Sequence, residues 1–76
     1  MNNPALIEYI ENKGIKFNKI AEYLGISRMA LRNKLSGKSE FSQTEIATLK
    51  SELSMTERDF LVIFFDDYVA ENSTNE

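Results

Sequence analysis

The chain has no cysteine, no histidine and no tryptophan, and only one proline among its 76 residues. Without cysteine, neither a disulfide nor a thiolate metal site can staple a domain of this size, which fits an intracellular, cytoplasmic home. Without histidine or cysteine, the commonest general base and the strongest nucleophile are both missing. An enzyme is therefore the least favoured class, and no cofactor is expected. Long apolar runs are scarce too: the longest, Phe60 to Phe65, is far below the ~20 residues that cross a bilayer. The amino terminus also lacks a basic region followed by an apolar stretch, so no membrane partner is expected. No repeat, low-complexity tract or linker interrupts residues 1–71, which read as one small domain. Residues 72–76 are polar and are expected to be a disordered tail. A core this small is close to the lower limit for independent folding, and dimerisation would help it.

Residues 17 to 36, FNKIAEYLGISRMALRNKLS, spell a helix, a turn and a second helix. Ile20, Ala21 and Leu24 recur at helical spacing on one face. Gly25 supplies the left-handed conformation that stops the helix, and Ile26 plugs the corner. Ser27 restarts the chain as a cap, and Leu31 and Leu35 give the second helix an inward stripe. Ser36 and Gly37 close it. Arg28, Met29, Arg32, Asn33 and Ser36 remain on its outer face, rich in hydrogen-bond donors and long enough to reach base edges.

Charge is segregated along the chain. Residues 13 to 39 carry Lys13, Lys16, Lys19, Arg28, Arg32, Lys34 and Lys38 against Glu22 alone, whereas residues 40 to 76 carry two bases against nine acids. The net charge of −3 therefore hides a strongly basic segment. The local field of such a segment steers association with polyanions whatever the overall sign.

These residues resemble the helix-turn-helix of Cro-type phage repressors and the wider lambda-repressor-like family. Its usual marks are Ala21 where the two helices approach, Gly25 in the turn, Ile26 after it, Leu31 in the second helix and Gly37 at its close. With the flanking helices the resemblance covers roughly residues 4 to 65. Members often open the first motif helix with a capping Thr or Ser and a phosphate-holding Gln; here Lys16 and Phe17 stand instead, and Lys16 or Asn18 is expected to take over phosphate binding from nearby. The resemblance implies an all-α domain of four to five short helices that binds double-stranded DNA. Its C-terminal apolar segment, a helix or a strand, would serve dimerisation.

The remaining helices are marked by local signals. Asn3 reads as the cap of the first, with Pro4 in its first turn, Leu6, Ile7 and Ile10 inside and Gly14 at its end. Ser42 and Glu45 form a capping-box pattern ahead of Ile46, Leu49 and Leu53, and Thr56 opens another helix. Phe60-Leu-Val-Ile-Phe-Phe65 is apolar at every position and flanked by Arg58, Asp59, Asp66 and Asp67 like gatekeepers. Phe60, Leu61, Phe64, Phe65 and Tyr68 form the expected dimer segment. As a helix, Phe60 and Phe64 turn inward while Leu61, Phe65 and Tyr68 meet the second subunit; as a strand, it pairs with its two-fold mate. Asp66, Asp67 and Glu71 are solubilising charges rather than a metal site.

If the chain binds DNA, Arg28 and Arg32 suit guanine, Asn33 suits adenine, Met29 suits a thymine methyl, and Ser27 suits a base or phosphate. Lys16, Asn18, Lys34, Lys38 and Ser39 suit phosphates, which set register without conveying sequence. The expected function is a small Cro-like repressor that binds a near-palindromic operator as a homodimer, with no small-molecule ligand. The alternative is a protein-interaction module on the same fold, with DNA binding weak or lost.

Overall fold

The computed structural model describes residues 1–65. They form five helices: α1 Asn3–Lys13, α2 Phe17–Leu24, α3 Arg28–Leu35, α4 Gln43–Glu52 and α5 Glu57–Phe64. No strand occurs among the described residues; of the two shapes open to the apolar segment, Phe60 to Phe64 take the helix, within α5. The reason is visible at its start, where Thr56 Oγ1 accepts from the Asp59 N–H at 3.1 Å. That cap, with Glu57 and Asp59 in the first turn, favours helix against the β propensity of the apolar run.

The other boundaries follow the same local chemistry. Gly14 and Gly25 end α1 and α2 with φ of 73° and 68°, in the left-handed region that glycine enters without a side-chain clash. Ser27 Oγ accepts from the Ala30 N–H at 3.0 Å and opens α3. At α4 the capping box is complete: Ser42 Oγ accepts from the Glu45 N–H, and Glu45 Oε1 accepts from the Ser42 N–H. One expected cap moves by a residue. Asn2, not Asn3, caps α1, because its Oδ1 reaches the Ala5 N–H at 3.0 Å, the first amide available beyond Pro4, which has none.

The core gathers one stripe from each helix. Leu6 and Ile10 of α1, Ile20 of α2, Leu49 of α4 and Leu53 just after it are essentially inaccessible to solvent. Around them lie Ala21, Leu31, Leu35, Phe41, Met55, Ile63 and Phe64. No polar or charged described residue is buried, so this core demands no internal hydrogen bonding beyond the backbone's own. The α2 helix packs on α3 and α4, while α1 packs on α3 and α5. The ends of the described chain meet, since the Asn2 N–H donates to the Ile63 carbonyl at 2.7 Å. Among the described residues no helix is long and apolar enough to cross a membrane.

Candidate functional site

With Leu31 and Leu35 buried, the 3.6-residue period puts Met29 on the far face of α3 and Arg28 and Arg32 along the edge of the leucine stripe. All three are exposed, and Met29 leaves 63% of its surface open, the most of any large apolar side chain described. Asn33 is half-buried and its side chain makes no hydrogen bond within residues 1–65. Its carbonyl is busier. It accepts from the amides of Lys38 at 2.9 Å and Ser39 at 3.2 Å, and from Ser36 Oγ at 3.1 Å. These bonds fold the loop at residues 37–39 back on the end of α3, with Gly37 at φ 89° making the bend.

The seven bases of residues 13–39 divide into two groups. Lys13 lies 5.3 Å from the centre of the Tyr9 ring, and Lys19 sits 5.8 Å from that of Tyr23 and 3.8 Å from Glu22. Lys34 is the most committed. Its Nζ lies 3.0 Å from Glu45 Oε1, donates to the Glu40 carbonyl at 3.0 Å and stands over the Phe41 ring. Only 16% of the Lys34 side chain and 15% of the Glu45 side chain are exposed. Burial works to raise the Glu45 carboxyl, yet the Ser42 amide and the Lys34 ammonium together hold its pKa below the ordinary value. Lys34 therefore serves as a strut between α3 and α4. By contrast the side chains of Lys16, Arg28, Arg32 and Lys38 have no hydrogen-bond, ion-pair or ring partner among the described residues.

Those four bases border the outer side of α3 and the entrance of α2. That entrance is unusual, for Lys16 offers no side-chain cap. The amides of Phe17 and Asn18 consequently have no acceptor among the described residues, leaving a helix start suited to an anion. Phe17 is 39% exposed and stands with Asn18 beside Arg28 and Arg32, along a shared open groove. In the sequence Phe17 stands out only as a departure from a pattern; no local signal places it in one groove with the arginines. Ser27, also exposed, spends its oxygen on the α3 cap and keeps its hydroxyl hydrogen to donate.

On the opposite side, the expected dimer segment separates by depth. Phe64 joins the core, and Phe60 is half-buried, with its ring 5.2 Å from that of Phe64 and the Lys50 ammonium 4.7 Å from its centre. Lys50 is in turn paired to Glu57 at 2.9 Å, so this cation shields the ring. Leu61 is half-buried, while Val62 and Phe65 are 42% and 46% exposed. Tyr68 lies outside the described residues, as do Asp66, Asp67 and Glu71. No group of three or more potential metal ligands occurs among the described residues. Comparison with protein families, with curated proteins and with solved structures finds no match for this chain.

Proposed function

We propose that this chain is a sequence-specific double-stranded DNA-binding regulator, a small Cro-like repressor that acts on a near-palindromic operator as a homodimer. One observation carries the reading. Arg28 and Arg32 lie four residues apart on an exposed helix face with no partner among the described residues, beside an open Met29. Leaving two guanidinium groups unpaired on a helix with both ends tied down suits a ligand that supplies acceptors, and the guanine edge offers two in the fork geometry of arginine. Met29 provides apolar contact for a thymine methyl, and Asn33 hydrogen bonds for adenine. The uncapped start of α2 with Lys16 and Asn18, and the Lys38–Ser39 loop, take flanking phosphates and fix register.

Val62 and Phe65, three residues apart at the end of α5, together with Met1 at 42% exposure, form the apolar surface for the second subunit. A two-fold dimer sets its α3 helices about 34 Å apart in successive major grooves. A bound dimer that overlaps a promoter blocks polymerase without any catalytic step. Selection of binding sites from random duplex DNA is the test, and a near-palindrome is the expected outcome. Absence of any enriched sequence would redirect the reading to the second function, a protein-interaction module that uses the Met1, Val62 and Phe65 surface for another protein.

A further inference from the structure

A groove of about 330 Å³ runs along one edge of α3, between it, α1 and the start of α2. Its floor is apolar, built from Ile7, Leu31 and Leu35, and the partly exposed ring of Phe17 borders it. Arg28 and Arg32 stand at its rim, their side chains without partners among the described residues, and none of the described acids lines it. The volume lies at the small end of ligand pockets, which run from roughly 300 to 1,000 Å³. Two features decide the ligand chemistry. A pair of guanidinium forks four residues apart matches the planar oxygens of a carboxylate. An apolar floor beside them adds affinity only for an anion that carries an apolar body.

We propose that this groove binds a small amphipathic carboxylate, an arylalkyl acid whose oxygens engage Arg28 and Arg32 and whose ring lies against Phe17 and Leu31. The inference goes beyond the DNA reading and is measured without DNA. Because the same two arginines are the proposed base readers, an occupied groove opposes operator binding, and DNA opposes the acid to the same degree.

The experiment is an amide NMR titration of the full chain with phenylpropionate, alongside phenylpropanamide and inorganic phosphate. Saturable shifts centred on Phe17, Asn18, Arg28, Leu31 and Arg32 are expected with the acid. The amide and phosphate should each bind about tenfold more weakly, the difference made by roughly one charge-assisted hydrogen bond or by the buried ring. Arg28→Gln and Arg32→Gln should each weaken the acid, whereas Phe17→Ser should weaken the acid and leave phosphate unchanged. Phosphate binding as tightly as the acid, or shifts that fail to saturate, would overturn the proposal, as would an acid affinity indifferent to both arginine substitutions. Binding of the acid by a chain that selects no DNA sequence would uphold this inference and end the DNA reading; operator binding with no response to the acid would do the reverse.

Discussion

Replacing Lys34 should cost stability rather than DNA affinity. Its ammonium meets Glu45 at 3.0 Å with both side chains about five-sixths covered. Exposed pairs are worth ~0.2–1 kcal/mol and hydrogen bonds to charged groups ~1.5–3 kcal/mol. The shielded pair falls between, so Lys34→Met, which keeps the apolar stem over Phe41, should destabilise the domain by about 1 to 2 kcal/mol. In a domain of this size that lowers Tm by roughly 5 to 15 °C. Glu45→Gln isolates the charge, since the amide oxygen can still accept from the Ser42 N–H. A double-mutant cycle from urea denaturation followed by circular dichroism should give a coupling of about 1 kcal/mol near neutral pH. The Glu45 pKa is lowered in the folded protein, so its contribution is complete above the unfolded carboxylate value and disappears as pH falls through the lower folded one. Carboxyl NMR should correspondingly show the Glu45 pKa rising in Lys34→Met. No coupling near neutral pH, or an unmoved Glu45 titration, would refute the strut. A shallower salt dependence of DNA binding in Lys34→Met would restore the phosphate-anchor role for this lysine.

Arg28→Ala should weaken a preferred operator by about 1 to 3 kcal/mol and relax its sequence preference; equal losses on operator and random duplexes in a competition assay would contradict base reading. Lys38→Ala should weaken all duplexes alike and lower the salt slope by about 0.9. Gly25→Ala meets open space, with nothing within 4 Å of the added carbon, so only the backbone at φ 68° resists; about 1 kcal/mol lost in urea denaturation is expected. Phe65→Ser, at a side chain 46% exposed whose ring meets that of Phe60 edge-on at 5.7 Å, should cost the monomer about 1 kcal/mol while shifting sedimentation toward monomers. Unchanged self-association would move the interface elsewhere.

What could be read in advance was whatever depends on residues a few positions apart. The Ser27, Ser42–Glu45 and Thr56 caps each link residues three apart, and the two glycine stops need only their own φ. The α1 cap differs by a residue because Asn2 and Asn3 are chemically equivalent and Pro4 is tolerated in the first turn behind either. Lys34 was not legible as a strut. Its acid is eleven residues away on another helix, and nothing local separates a lysine bound for Glu45 from one free to meet a phosphate. The groove beside Arg28 was equally hidden, because Ile7, Phe17 and Leu31 come from three helices whose meeting is set by packing. Exposure within Phe60 to Phe65 was likewise beyond local pattern, because every position is apolar and no polar residue marks the outer face.

The bond from the Asn2 amide to the Ile63 carbonyl has a practical corollary for anyone handling this protein. Met1 and Phe65 border one groove, with Phe64 and Phe41 beside them, so the start of α1 and the end of α5 open onto the same side. A purification tag placed ahead of Met1 would therefore emerge into the surface proposed for self-association. Sedimentation or cross-linking of such a fusion measures the tag as much as the protein, and a scarless amino terminus is the form in which oligomeric state should be judged.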